Sequence, residues 1–137
     1  MSLFLHKPGK VIEFPLFQVI RIEMSRLNCK LFNLATAGKL TDYELAWKFQ
    51  KAIAERAHQD YKLNGKSVDS ILLVQHPSIY TLGRGATPDN IKFNVDRNCR
   101  HKVVRIERGG EVTWHGPGQL VAYPILNLNN HKRDLHW

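Results

Sequence analysis

The 137-residue sequence predicts an α/β (α+β) fold, a mixed sheet with packed helices. Three observations point there. Apolar residues recur at helical spacing between Leu45 and Ala57. Short apolar runs of strand length follow at 70–75, 79–82, 103–107 and 120–128. Glycine and proline clusters separate them, so strands and one good helix are mixed along the chain. A chain of this length fits one domain and buries roughly two-thirds of its unfolded surface.

The first expected strand is Lys30–Leu34, entered from the polar pair Asn28–Cys29 and followed by a break at Gly38. A helix comes next. Thr41 as N-cap with Glu44 three residues on reads as a capping box. Leu45, Phe49, Ala52, Ile53 and Ala57 make one apolar stripe. The pairs Glu44–Lys48 and Glu55–Gln59 fall on exposed faces. Asn64–Gly65 ends the element by accepting a left-handed conformation.

Ser70–Gln75, S-I-L-L-V-Q, is a continuous apolar run that suits a strand covered on both faces. His76–Pro77 interrupts it and Ile79–Leu82 forms a second strand. Gly83–Arg84–Gly85 is a flexible turn, and Thr87–Pro88–Asp89 starts a helix or turn. A polar, basic loop through Asn98–Lys102 leads into a strand at Val103–Glu107. Glu111–His115 is strand-like, Gly116–Gly118 is a tight loop, and Leu120–Leu128 is the last apolar strand. Pro124 within it argues for an edge position or a bulge. Asn129–Trp137 is polar with helix-forming potential. Residues 1–28 read as an N-terminal extension, for which a cleaved or poorly ordered leader stays open, and 29–137 as the domain proper.

Composition narrows the function. Content of 43% hydrophobic and 23% charged residues excludes a disordered, collagen-like or coiled-coil chain. The net charge of +8 attracts acidic partners. Nucleic acid is the commonest, an acidic carrier protein would serve equally, and part of the excess is solubilising. Two cysteines, Cys29 and Cys99, are too few for a disulfide framework. No apolar run approaches the roughly 20 residues of a membrane span; Val11–Ile22 is broken by Glu13, Pro15, Gln18 and Arg21. As a targeting peptide the first 26 residues are poor, with Glu13 and Glu23 among their basic residues and little serine.

The segment with most chemistry is Arg108-Gly109-Gly110-Glu111-Val112-Thr113-Trp114-His115-Gly116-Pro117-Gly118-Gln119. Glycine loses the most backbone freedom on folding, so such a density belongs where backbone must approach a ligand. Gly109 and Gly110 leave amides uncovered for a carbonyl or an anion. Arg108 adds a fixed cation. His115 can exchange a hydrogen bond or a proton near neutral pH, and Val112 and Trp114 can line a slot for an aliphatic chain. The plain alternative is a glycine-rich hairpin with solvated Arg and His; the residues alone leave both open. Arg84, beside it in the preceding turn, either reaches this pocket or is simply exposed. Gly83-x-Gly85 is too weak a signal for nucleotide binding. His76, His101, His131 and His136 show no zinc spacing with the cysteines, so no metal site is expected, and His58 reads as surface.

The string R-G-G-E-V-T-W-H-G-P-G-Q-L-V-A-Y-P-I-L-N-L resembles the signature of the lipoyl(octanoyl) transferase family, with Trp114 where the family usually has Tyr. Asp69–Gly83 and Asn130–Trp137 resemble the family's flanking segments, most like its plastid and cyanobacterial branch. The likeness covers Cys29 to the end. It implies the catalytic-domain fold of biotin and lipoate protein ligases, C-terminally incomplete here. It also implies transfer of an octanoyl group from octanoyl-acyl carrier protein to a lysine on lipoyl domains of 2-oxoacid dehydrogenases and on glycine cleavage H protein, with no cofactor, nucleic acid or membrane. The acyl chain and its carbonyl would lie along Arg108, Gly109, Gly110, Glu111, Val112, Thr113, Trp114 and His115. The family acts through an acyl-accepting Cys helped by a Lys; no residue here matches either, so no catalytic residue is assigned and the chain alone is expected to be inactive. Cys99, among Arg97, Arg100, His101 and Lys102, is rejected as a substitute, and Cys29 reads as a structural or incidental thiol. The resemblance implies a bacterial cytoplasm or, in a eukaryote, a plastid or mitochondrion. An ATP-dependent lipoate protein ligase of the same fold and a non-catalytic basic module are the competing readings. The ligases typically carry an extra Gly in an Arg-x-x-Gly-Gly-Gly stretch and His-Asp before the next glycine, whereas this chain has Arg108-Gly109-Gly110 and His115-Gly116. The basic module lacks any nucleic-acid motif.

Overall fold

The computed structural model describes residues 3–7, 10–14, 18–24, 27–93 and 101–131. A helix whose one face is apolar must bury that face, and here it does so on a four-stranded sheet. That sheet has the order β3-β4-β5-β9, from β3 (Gln18–Met24), β4 (Leu27–Asn33), β5 (Asp69–Val74) and β9 (Val121–Ile125). β3 and β4 are antiparallel, β4 and β5 parallel, and β5 and β9 antiparallel. Parallel neighbours need a crossover, and α1 (Tyr43–Asn64) supplies it. A second sheet of order β7-β6-β8 joins β6 (Ile79–Leu82) in parallel to β7 (Lys102–Arg105) and antiparallel to β8 (Val112–His115). β1 (Leu3–Lys7) and β2 (Lys10–Phe14) form an antiparallel hairpin. The mixed α/β fold expected from the pattern is therefore present. The stretch 1–28 contributes β1, β2 and β3, and β3 extends the four-stranded sheet.

The core lies between α1 and that sheet. Phe32 and Leu34, Ala46, Phe49 and Ile53, and Leu72 and Val74 are buried together, with Val121, Tyr123 and Ile125 packed against them. Phe32 and Phe49 meet edge to face at 5.4 Å between ring centres, a favoured aromatic geometry. β5 alternates: Leu72 and Val74 are fully buried, while Ile71 and Leu73 on the opposite face are half-buried. The cover expected on both faces is thus complete only beneath α1. β9 ends the sheet, and Pro124 stands opposite Ile71 there. That is the edge position proline demands.

Several expected details shift. The helix begins at Tyr43, and its N-cap is Asp42, not Thr41. The Asp42 carboxylate accepts from the amides of Glu44 and Leu45 at 2.9 and 3.3 Å. Thr41 is instead tied to the sheet: its amide donates to the Gln75 carbonyl at 2.7 Å. The buried stripe is Tyr43, Ala46, Phe49 and Ile53, and Leu45 is 39% exposed. At the other end Gly65 takes φ 66° as expected, its amide donating to Tyr61. β4 begins and ends earlier than Lys30–Leu34, β5 is Asp69–Val74, and β7 is shorter than Val103–Glu107. Pro88–Asn90 and Leu128–Asn130 are short 3-10 turns; the rest of the helix expected in Asn129–Trp137 lies outside the described residues beyond His131, as does Cys99.

A polar staple closes the sheet beside β9. Buried Asp69 accepts from the Asn127 amide at 2.8 Å and from His131 Nε2 at 2.6 Å. A buried carboxylate needs such partners to be tolerated. Cys29, in register with Asp69 on β4, has its thiol pushed up by burial and then by that carboxylate. A thiol held protonated is a poor nucleophile.

Candidate functional site

The site is built where β6 ends. Ile106 donates to the Leu82 carbonyl at 2.8 Å, Arg84 to the Arg108 carbonyl at 2.9 Å, and Gly83 to the Glu111 carbonyl at 3.3 Å. The turn after β6 and the turn before β8 therefore lie against each other, backbone to backbone. A Cβ on Gly83 would run into the carbonyl oxygen of Gly110 and stand 2.7 Å from that of Gly109. Only glycine permits this approach, and Gly110, at φ +84°, needs the same freedom on its side. The carbonyls of the glycine pair thus face the 83–86 turn, and Gly109 and Gly110 themselves are exposed.

Arg108 folds inward over a threonine pair. Thr81 on β6 and Thr113 on β8 stand directly opposite each other. Arg108 Nη2 donates to Thr81 Oγ1 at 2.9 Å, to the Thr81 carbonyl at 3.1 Å and to Thr113 Oγ1 at 2.8 Å; Nη1 donates to the Gly109 carbonyl at 2.9 Å. A planar guanidinium suits such a forked set of acceptors, where a lysine would not. The fixed cation expected beside the glycine pair is therefore a clasp: it ties the glycine turn to the sheet. Arg105 makes a second clasp, donating to the carbonyls of Gly83 and Ala86 at 3.2 Å each. Arg84 is exposed.

His115 closes the other side. Its Nδ1 lies 2.8 Å from Gln119 Oε1 and its Nε2 lies 3.4 Å from Thr81 Oγ1. Behind it, 5.8 Å between ring centres, is the fully buried His76. His76 Nδ1 must donate to the Thr41 carbonyl at 2.7 Å, so its Nε2 accepts from the Tyr123 hydroxyl at 2.9 Å. Burial pushes the His76 pKa below its ordinary value; the Thr41 carbonyl opposes this and the neighbouring His115 adds to it. Burial also pushes the Tyr43 and Tyr123 phenols up, with the Arg108 cation opposing in both. The floor of the site is thus neutral at physiological pH.

Trp114, between Thr113 and His115 on β8, is 43% exposed. Its indole lies across Gly116, where a Cβ would collide with Cζ2 and Cη2. Its Nε1 donates to Ser78 Oγ at 3.0 Å, and Ser78 Oγ lies 2.7 Å from His101 Nδ1. Val112 and Thr113 are half-buried; Glu111 is exposed and accepts from Asn90 Nδ2 at 2.9 Å. Gly118, at φ +86°, donates to Gln75 Oε1 at 3.1 Å and pins the Gly116–Gly118 turn to the end of β5. The structure therefore brings Arg108, Thr113 and His115 to Thr81, while Val112 and Trp114 hold the alternate positions of β8 and Arg84 is exposed in the turn after β6.

Sequence reasoning missed Thr81, Gln119, His76 and Arg105 as parts of this site. Thr81 had a signal, being the polar residue in the otherwise apolar run I-Y-T-L. Arg105 had none, since an arginine at a strand's end reads as solvated. Among the described residues no group of three His, Cys, Asp or Glu could hold a metal ion, and no helix is long and apolar enough to cross a membrane.

Residues 42–137 match the family described as the lipoyl protein ligase A/B catalytic domain. A chloroplastic octanoyltransferase of Arabidopsis thaliana is 47% identical over 109 residues, which are 80% of this chain and 38% of that protein. An octanoyltransferase of Nostoc punctiforme is 44% identical over 109 residues, 80% of this chain and 44% of that protein. One from Thermosynechococcus vestitus is 50% identical over 95 residues, 69% of this chain and 40% of that protein. The chain spans about two-fifths of the length of these curated relatives. The matched range holds α1, the core strand β5 and the whole clasped glycine turn, and on that ground the chain belongs to the lipoyl protein ligase A/B catalytic domain family.

Proposed function

We propose that this chain is the acyl-binding part of an octanoyltransferase, which moves an octanoyl group from octanoyl-acyl carrier protein to a lysine of a lipoyl domain or of glycine cleavage H protein. The observation that carries the reading is the exposed Gly109–Gly110 turn, fixed by the Arg108 clasp to Thr81 and Thr113. Exposed amides suit an acyl carbonyl, and the indole face suits the aliphatic chain. Arg108, Gly109, Gly110, Glu111, Val112, Thr113, Trp114 and His115 then form the substrate-binding set, with Arg84 at its edge. Similarity to plastid and cyanobacterial octanoyltransferases supports the same reading and, with it, a plastid or a bacterial cytoplasm as the compartment. The acyl-accepting Cys and its Lys partner match no residue of these 137. The net charge of +8 favours an acidic carrier protein as donor.

Titrating the chain with octanoyl-loaded and unloaded carrier protein, with amide NMR as the readout, tests this. The loaded carrier is expected to move the Gly109 and Gly110 amide signals and to bind about tenfold more tightly than the unloaded one, the worth of roughly two buried methylenes. Raising salt should weaken both. Equal binding with unmoved glycine amides overturns the acyl-binding assignment. A stoichiometric thioester on Cys29 or Cys99, seen by mass spectrometry, overturns the view that the reacting Cys is neither of them.

A further inference from the structure

His115 and His76 stand side by side, yet their rings are set differently. Each presents Nδ1 to an amide-type oxygen, Thr41 O for His76 and Gln119 Oε1 for His115, at 2.7 and 2.8 Å. For His76 a backbone carbonyl does this, and a carbonyl can only accept. For His115 the partner is a side-chain amide whose orientation must itself be fixed. The Gln119 Nε2 group lies 3.4 Å from the Trp114 carbonyl. Turning the amide over would set Oε1 against that carbonyl oxygen, so Oε1 faces the ring and Nδ1 bears the proton.

The far side of the ring agrees. Thr81 Oγ1 already accepts from Arg108 Nη2 at 2.9 Å, and the acceptors within reach of its own proton are the Thr113 carbonyl and His115 Nε2, both at 3.4 Å. A proton on Nε2 would point at a hydroxyl that Arg108 already polarises, close to the guanidinium charge. The groups that face the ring are thus Gln119, Thr81 with Arg108 behind it, and the neutral His76.

We infer that Gln119 is a positioning residue that sets His115 in the tautomer protonated at Nδ1, so that Nε2 offers a lone pair to the site. Unlike Nε2 of His76, which a tyrosine hydroxyl satisfies at 2.9 Å, Nε2 of His115 has among the described residues a long contact, 3.4 Å to Thr81 Oγ1. Taken with the acyl-site reading, on which this second step rests, the site is divided: glycine amides donate and one imidazole nitrogen accepts. The ligand atom seated at Nε2 therefore carries a hydrogen, as an amine, amide or thiol does. A carboxylate oxygen would meet lone pair with lone pair.

Side-chain nitrogen NMR of the full chain at about pH 7.5, where free histidine is mostly neutral, reads the ring form directly. Wild type is expected to show His115 protonated at Nδ1. Gln119→Leu should move His115 toward the Nε2-protonated form, and Gln119→Glu should make it doubly protonated, while His76 stays unchanged in all three. A wild-type His115 protonated at Nε2, or one indifferent to both substitutions, overturns the inference, because loss of packing alone would not exchange the protonated nitrogen. Octanamide and octanoate then probe the second step. Octanamide should bind wild type about fivefold more tightly, the worth of one net hydrogen bond, and Gln119→Glu should reverse the order. Equal affinities overturn the divided site. If neither probe binds, the acyl-site reading falls together with the divided site, while the ring form of His115 is still decided by the NMR.

Discussion

In the four-stranded sheet the side chains that matter are apolar and lie under α1: Phe32, Phe49, Ile53, Leu72 and Val74 are buried in one cluster. In the three-stranded sheet the buried centre of β6 is a threonine, and a guanidinium is folded over it. One sheet is held by burial, which is non-directional and tolerates small adjustments in shape. The other buries Ile79 and Leu82 as well, but adds hydrogen bonds from Arg108 and Arg105 to backbone carbonyls and threonine hydroxyls, which are directional. A site that must present bare glycine amides cannot be built the first way, since apolar cover would hide them. The two sheets show one chain separating the part that supplies stability from the part that supplies geometry.

The largest effect that tests this contrast is Phe49→Ala. Phe49 is fully buried and meets Phe32 edge to face, so its truncation is expected to cost about 3–5 kcal/mol in denaturant unfolding. Residual folded protein should keep the Arg108 clasp, seen as unchanged Thr81 and Thr113 signals. A cost below about 1 kcal/mol would mean that the core under α1 is not what holds the fold.

Gly83→Ala strikes the other half. Its Cβ would meet the Gly110 carbonyl oxygen, a backbone atom that cannot step aside. The expected cost is about 1–3 kcal/mol, as for other overpacked sites, with displacement of Gly109 and Gly110 and loss of octanoyl-carrier binding. Gly85→Ala is the control. Its nearest neighbour would be the Gly110 oxygen at 3.7 Å, ordinary contact distance, so stability should stay within about 0.5 kcal/mol. Equal effects from the two would show that the turns do not touch as closely as the distances say.

Much of the burial-held half could be read from the chain. The apolar period of α1, the glycine at its end, the run of β5 and the edge placement of β9 from Pro124 all follow from local rules. Thr41 and Asp42 show where those rules stop. Both are good caps, and the choice between them depends on a tertiary fact: Thr41 is claimed by the Gln75 carbonyl and by His76. The site half was legible as a segment but not as an arrangement. The string from Arg108 to His115 marked itself by its glycines. That Arg108 would turn inward depended on Thr81, twenty-seven residues away, and no spacing rule links the two.

The smallest effect at neutral pH belongs to the histidine pair, and it appears only on acidification. His76 is buried, and its folded pKa lies below the ordinary 6.5. Between those two values the unfolded chain binds more protons than the folded one, so stability falls as pH drops through 6.5 and stops falling once folded His76 also titrates. Above 6.5 the contribution is complete and flat. Each unit of depression is worth about 1.4 kcal/mol, so urea unfolding over about pH 5 to 7.5 resolves it. Wild type should lose stability with acid more steeply than His76→Gln, whose side chain cannot titrate and is expected to be less stable throughout. Parallel curves for the two proteins would mean that His76 is charged or solvated in the fold. The neutral floor behind His115, which keeps a second positive charge away from the Arg108 corner, would then be absent.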